Sequence, residues 1–484
     1  MSTFDYYLEK TGEIGYADQV IGNLVYASGL PSVSPGELVV FENGDLGITL
    51  SLSVKEAEIL TLSAQYVAPG LKVARTGQQF QVPVGNYLLG TKITPLTVNP
   101  LVDNAKKLKQ IEWRMVDTDP KKLADRESVK DPFETGVSAV DLITPLGRGQ
   151  RELVLGDRKT GKTRFLFQIV ANHTKSGAVC VYAAIGKKRS DIAQLTESLL
   201  KEADSKKTVV VYSTASDPPG LSYLTPYVAM TIAEYFRDQG EHVLVVLDDL
   251  STHAKYWRQI SLLARRFPGR NSYPGDIFYL HSRLLERAGN FKKGSITAFP
   301  VAETVLGDIS GYIQTNLMSM TDGHLFFDSD LFDQGRRPSI NPLLSVTRVG
   351  LQTHSALLKD LARTLTSFLV YIERMRRYMH FGSELGEEAR SNLALGDRVM
   401  TFLQQGQEEI IPIGVNIALA GALWAGVWRG VELEKMKSQT QAIVAKYGQD
   451  KSFAKSIDLL VANHSSFKDL VTTIRREGSI FDKS

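Results

Sequence analysis

The chain has 484 residues, 23% charged and 43% hydrophobic, and its 56 basic against 53 acidic side chains leave a net charge of +3. This is an ordinary globular balance, and so small an excess of either sign implies no acidic polymer as a partner. The single cysteine, Cys180, excludes an internal disulfide and suits a reducing compartment, and eight histidines without ligand spacing predict no structural metal.

The length suggests about three domains. The opening Met1-Ser2-Thr3-Phe4-Asp5-Tyr6 is neither an apolar signal core nor a basic transit helix. Residues 1–90 read as all-β. Alternating runs at 19–26, 37–41, 47–52 and 79–84 are punctuated by Gly and Pro, a spacing that predicts a small barrel or sandwich. Residues 91–130 read as a connector. Its basic clusters, Asn104-Ala105-Lys106-Lys107-Leu108-Lys109 and Asp119-Pro120-Lys121-Lys122, lack interleaved aromatics, so a solvated surface is expected and nucleic acid is not.

From 131 to about 370 the pattern alternates between strand and helix, with strand-like runs at 153–155, 178–185, 209–212, 243–247 and 295–299. This predicts a mostly parallel sheet with ligands beyond the carboxyl ends of its strands. Within it, Gly156-Asp157-Arg158-Lys159-Thr160-Gly161-Lys162-Thr163 fits the phosphate-loop spacing G-x-x-x-x-G-K-[ST]. A buried strand, Glu152-Leu153-Val154-Leu155, precedes it and an apolar helix-length run, 165–171, follows. The glycines let backbone N–H groups close around phosphate, and the helix opening at Lys162 adds its positive end. Lys162 then reaches the terminal phosphates and the Thr163 hydroxyl takes Mg²⁺. Val243-Leu244-Val245-Val246-Leu247-Asp248-Asp249 is an apolar strand ending in a carboxylate, the form of a Walker B segment. Asp248 is thereby expected on the Mg²⁺ shell through water.

From about 371 the chain reads as helical. Arg374, Arg376 and Arg377 belong either to a solvated helix or to a contact with a partner or shaft. Residues 410–428 carry no charge, but Pro412, Asn416 and three glycines interrupt them, so a buried helix is expected and not a membrane span.

The chain resembles the α-type subunit of rotary F-type ATP synthases across nearly its whole length. The resemblance is carried by Thr135-Gly136 and Asp141, by Gly147-Arg148-Gly149-Gln150-Arg151-Glu152-Leu153, by the phosphate loop, and by Glu234-Tyr235-Phe236-Arg237-Asp238 and Asp248-Asp249-Leu250-Ser251. The longest matching block runs from Tyr273-Pro274-Gly275-Asp276 to Leu285-Glu286-Arg287. Thr321-Asp322-Gly323, Arg337-Pro338, Asn341, Ser345-Val346-Thr347-Arg348-Val349-Gly350 and Gln405-Gly406-Gln407 follow. The resemblance implies a β-barrel (1–90), a RecA-like P-loop α/β nucleotide-binding domain (91–370) and a C-terminal helical domain (371–484). It also implies three copies alternating with three β-type catalytic subunits around a central rotor shaft. Such a complex is peripheral to the inner face of the cell membrane and coupled to ion or proton transport.

Lys187 is the informative departure. Catalytic β-type relatives carry a Glu in the segment matching Gly186-Lys187, where it polarises the attacking water, and the α-type family carries Gln. An ammonium donates three hydrogen bonds and accepts none, so it can hold a phosphate but takes no proton from water. Binding of Mg–ATP without turnover is therefore expected. Arg348 matches the arginine that reaches across into a neighbouring β site, with Ser345 kept beside it, and such a guanidinium acts in trans on the charge of phosphoryl transfer. The resemblance further implies nucleotide contacts for Arg158, Lys159, Thr160, Gly161, Glu303, Phe332 and Arg337, with Gln405 and Gln407 reading the adenine edge. Lys159, Arg164 and Lys187 make the pocket more positive than the family's, which predicts slow nucleotide release.

Two stretches depart further. The chain begins about fifteen residues later than usual relative to the first barrel strand. Residues 91–130 lack the family's Gly- and Asp-rich turn. Both affect how a peripheral stalk would attach, and an α-like subunit of a specialised motor not coupled to ATP synthesis is the alternative. A homohexameric secretion-type ATPase calls for Glu at 187, and an RNA-tracking helicase calls for basic and aromatic barrel strands.

Overall fold

In a computed structural model, residues 2–63, 67–97, 111–200, 206–379, 386–406 and 409–477 are described. The chain divides into two compact units, one of Met1–Glu127, His173–Glu303 and Ile309–Met320, the other of Ser128–Asn172, Thr304–Asp308 and Thr321–Ser484.

The first unit opens with a helix, Thr3–Thr11, started by a reciprocal capping box: Asp5 N–H donates to the Ser2 hydroxyl at 3.1 Å and Ser2 N–H to the Asp5 carboxylate at 3.2 Å. A closed six-stranded barrel follows. In spatial order its strands are Ile14–Ile21, Leu24–Ser28, Ala57–Thr61, Leu46–Leu52, Glu37–Phe41 and Lys72–Gln79, the last returning to pair Ala74 with Ile14. Val25 and Ala27, Val39 and Phe41, and Ala57 and Ile59 share one apolar cluster at the two-residue period that a half-buried strand requires. Register shifts at Ala17/Gln19, Glu37/Val39 and Thr49/Ser51 bend these strands into closure. Closure also needs glycine at 47, where a Cβ would stand 2.4 Å from the Ile59 methyl. Two expected strands resolve differently. The run 19–26 is a hairpin that turns at Gly22 (φ +59°), and the run 79–84 straddles a break at Phe80 between Lys72–Gln79 and Gln81–Val84.

The same unit holds a run of parallel strands in the order Lys92–Ile93, Thr208–Thr214, Val179–Lys187, His242–Asp248, Ser295–Glu303. Apart from Lys92–Ile93 at the edge, they are buried almost throughout and read as continuous apolar runs. Cys180 lies in the strand Val179–Lys187, buried and unbridged. The long helix Pro219–Asp238 covers the sheet, and its Glu234 receives the buried Arg287 guanidinium at 2.5 Å. The stretch read as a connector contributes ordered pairing as well: Glu112–Met115 runs antiparallel to Gln81–Val84. The cluster 104–109 lies outside the described residues.

In the second unit Glu152–Gly156 pairs parallel with Gly323–Phe327, and Val346–Thr347 pairs antiparallel with Gly323 and His324. Among the described residues six helices follow: Ala356–Met379, Glu387–Phe402, Ile413–Ala425, Leu433–Gln449, Lys451–Ala462 and Phe467–Glu477. They bury a common core around Ile413–Ala425, which is apolar on every side and buried from Val415 to Leu423. At 13 residues it is about 20 Å long, short of the roughly 30 Å of a bilayer core. No described helix is long and apolar enough to cross a membrane. Arg376 pairs with Asp397 at 2.5 Å and Arg377 with Glu373 at 3.5 Å, as on a solvated helix face.

Candidate nucleotide-binding site

The phosphate loop belongs to the second unit. A buried strand delivers it at Gly156, where any Cβ would lie 2.4 Å from the Phe327 carbonyl oxygen. Lys159 and Gly161 take left-handed backbone (φ +65° and +93°), which folds the loop over before the helix Lys162–Lys175 begins. Four hydrogen bonds hold it. The Asp157 carboxylate accepts from the Thr304 hydroxyl at 2.6 Å and from Gly307 N–H at 3.0 Å. The Thr160 hydroxyl donates to the Asp157 carbonyl at 2.7 Å, and the Ser339 hydroxyl donates to the Thr160 carbonyl at 2.7 Å. Lys162 is buried, its ammonium donating to the carbonyls of Gly156 (2.7 Å) and Asp157 (2.5 Å), which centres the cation inside the loop. Arg158, Lys159, Thr163 and Arg164 are exposed around it. The arrangement offers an anion backbone N–H groups, one buried ammonium and a helix N-terminus.

The base end lies in this unit too. The Arg337 guanidinium stacks on the Phe332 ring at 3.5 Å and donates to the Phe332 carbonyl at 2.7 Å. Phe332 stands 3.8 Å from the Cβ position of Gly161, so ring and loop are neighbours. Gln405 N–H donates to the Arg337 carbonyl at 2.8 Å. Its side chain is buried: Oε1 accepts Ser138 N–H at 2.9 Å, while Nε2 donates to the Gly136 carbonyl at 2.6 Å and to the Glu409 carbonyl. These bonds tie Gln405 to the backbone of 136–138. Gln407 lies outside the described residues.

Arg348 is exposed at the end of Val346–Thr347, its N–H bonded to the Asp322 carbonyl at 2.9 Å. Ser345 beside it is buried: its hydroxyl donates to the Asn341 carbonyl at 2.7 Å and accepts Phe326 N–H at 3.0 Å, which fixes the backbone carrying the arginine. Sequence reasoning gave no role to the network beneath. Gln150 Nε2 donates to Glu152 at 2.7 Å and to the Thr347 hydroxyl at 3.3 Å. Burial holds the Glu152 carboxyl well above the usual range, with Asp322 adding to the rise and Arg348 opposing it. The signal was present in the Gly147–Leu153 block but carried no indication of its neighbours.

Lys187, Asp248 and Glu303 belong to the first unit. Gly186 (φ +59°) packs against the Tyr256 ring, and the chain then presents Lys187, whose ammonium lies 2.8 Å from Asp248 Oδ1 and 3.7 Å from Asp249 Oδ2. The Tyr182 hydroxyl donates to Asp248 Oδ2 at 2.8 Å. Asp249 caps the helix Leu250–Leu263, accepting Thr252 N–H at 2.6 Å and the Thr252 hydroxyl at 3.0 Å. Burial pushes Lys187 down, but Asp248 and Asp249 outweigh it and its pKa stands above the ordinary lysine value. Glu303 N–H donates to the Ser251 hydroxyl at 3.0 Å, and its carboxylate lies 3.9 Å from Lys255.

Comparison with known proteins agrees with this geometry. Residues 136–347 match the ATP synthase alpha/beta family nucleotide-binding domain, and residues 354–475 match the C-terminal domain of the ATP synthase alpha/beta chain. The chain is 40% identical over 417 residues to the ATP synthase subunit alpha of Sulfurovum sp. (strain NBC37-1), covering 85% of this chain and 82% of that protein. With the barrel, the phosphate loop and the helical domain in place, the chain belongs to the ATP synthase alpha/beta family, as a member of alpha type.

Proposed function

We propose that this chain is the nucleotide-binding, non-catalytic subunit of an F-type rotary ATP synthase or ATPase. Its phosphate loop binds Mg–ATP without turnover, and Arg348 serves β-type neighbours that interconvert ATP and ADP plus phosphate, coupled to ion transport. The observation that carries this reading is Lys187. Where hydrolytic relatives place a carboxylate to accept a proton from water, this chain places an ammonium already paired with Asp248. An ammonium has no lone pair for that proton.

Each residue has its part. Lys162 and the loop N–H groups bind phosphate oxygens, and Phe332 and Arg337 flank the base. Exposed Thr163, in the first turn of its helix, is the residue to hold Mg²⁺, an ion that takes few protein ligands and keeps most of its waters. When bound, the ion neutralises charge on the phosphate oxygens. Exposed Arg348, on a backbone fixed by Ser345, is suited to act on a neighbouring subunit's nucleotide. The complex is a 3:3 hexamer with β-type subunits around a shaft, on the cytoplasmic face of the cell membrane.

Two measurements test the proposal. The purified complex should weigh as three copies of this chain with three of a Glu-bearing partner. The chain alone should bind ATP and show no multi-turnover hydrolysis. Six copies of this chain, or sustained hydrolysis by it alone, would favour the homohexameric reading instead.

A further inference from the structure

We propose that Gln150, acting through the Thr347 hydroxyl, is a positioning residue for Arg348. The inference rests on the reading of Arg348 as a guanidinium that serves a neighbouring subunit's nucleotide, and names what aims it. The segment carrying the arginine alternates along its length: Ser345 is buried, Val346 exposed, Thr347 half-buried and Arg348 exposed. At the two-residue period of a strand the hydroxyls face inward and the guanidinium outward. The inward anchors therefore set where the outward group stands.

Gln150 is fully buried, and both polar atoms of its side chain are committed. Its Oε1 accepts Gly147 N–H at 2.9 Å, which turns Nε2 toward two acceptors, Glu152 at 2.7 Å and the Thr347 hydroxyl at 3.3 Å. That hydroxyl also accepts Gly350 N–H at 3.1 Å and donates to the Pro145 carbonyl at 3.1 Å. One donor and two acceptor positions are all a hydroxyl has, so this one is held in a single orientation. A missing side chain makes room for the arrangement. Glu152, Gly323 and Thr347 stand side by side across three strands, and a Cβ on Gly323 would lie 2.5 Å from a Glu152 carboxylate oxygen. The buried amide thus joins the strand that leads into the phosphate loop to the segment bearing Arg348, and the hydroxyl it meets grips that segment on both sides of the arginine.

The test uses the reconstituted complex with the partner's catalytic sites and follows steady-state ATP hydrolysis. Gln150→Met should lower kcat by about 10- to 100-fold, the scale of a displacement near 1 Å at a reacting centre, with KM for ATP and the 3:3 mass unchanged. Thr347→Val removes the same contact from its other end and should give the same pattern, while Thr347→Ser, which keeps the hydroxyl, should restore the rate to within about 3-fold of wild type. Combining Gln150→Met with Arg348→Ala should cost no more than Arg348→Ala alone, because the amide works only through the arginine. Multiplied losses in that double variant would overturn the proposal. So would an unchanged kcat with a lowered melting temperature, or loss of the complex in both Gln150→Met and Thr347→Val, either of which assigns the amide to stability alone. If Arg348→Ala itself leaves hydrolysis near the wild-type rate, the reading of Arg348 fails; a rate that depends on Arg348 but not on Gln150 sinks only the present inference.

Discussion

The Lys187 ammonium and the Asp248 carboxylate stand 2.8 Å apart, with the lysine side chain 24% exposed and the aspartate 6%. Tyr182 holds the second carboxylate oxygen, so a residue in the Walker B position is neutralised from within its own unit. Lys187→Ala leaves that buried carboxylate without its cation. The expected cost is on the order of 2–4 kcal/mol, read from denaturant unfolding. A double-mutant cycle with Asp248→Asn should assign most of this to the pair, and additive costs would contradict the pairing. The raised lysine pKa means the contribution is intact below the unfolded value near 10.4 and fades above it.

Arg348→Ala should leave the 3:3 assembly and its nucleotide content unchanged. Hydrolysis by the partner's sites should fall by about 10³-fold or more, the usual contribution of a guanidinium supplied in trans. Steady-state ATPase assays of the reconstituted complex decide this. Activity near the wild-type rate would exclude Arg348 from the reaction.

Glu152 and Ser345 act beneath that arginine and should respond differently. Burial pushes the Glu152 carboxyl toward its neutral form, so the isosteric, neutral Glu152→Gln should change stability by less than about 0.5 kcal/mol. Ser345→Ala removes a donor to Asn341 and an acceptor for Phe326, at an expected cost of about 1–3 kcal/mol. Thermal melts of the two variants side by side separate the roles.

The buried pair His253 and His281, 3.1 Å apart between ring nitrogens, predicts sensitivity to acid. Burial pushes His253 from 6.5 down to about 4, and burial together with His253 pushes His281 well below its ordinary value. Depressed imidazole pKa values contribute stability that is present above pH 6.5 and lost as the pH falls toward 4, on the order of 3 kcal/mol for His253 alone. His253→Gln should flatten the denaturation midpoint across that window. Asp141 works in the opposite direction. Burial lifts it to about 7 despite bonds from Thr135 and Gly136, so its contribution is present below its unfolded value of 3.8 and lost as the pH rises through 7.

The phosphate loop was legible because its strand, turn and helix are contiguous and each obeys a local rule. The barrel came only through the family resemblance, since closure depends on Ile14 meeting Ala74 and an alternating run fits a barrel as well as a sandwich. The hairpin at Gly22 was hidden because alternation continues on both sides of the turn. The partners of Gln405 were hidden for a related reason. Its partners Ser138 and Gly136 lie 267 and 269 positions away, and a motif match states which residue is present but not what holds it. Likewise the chemistry of Lys187 could be read from its type, whereas its union with Asp248, 61 positions on, could not.

The N-terminal barrel bears on how a subunit survives while waiting for its companions. A sheet curled into a ring presents no bare lateral strand, and bare strands are what let like chains stack without limit. Newly made copies are thereby spared this route to fibres or precipitate, and encounters through the barrel must proceed by side-chain fit, the kind of contact that can tell one neighbour from another.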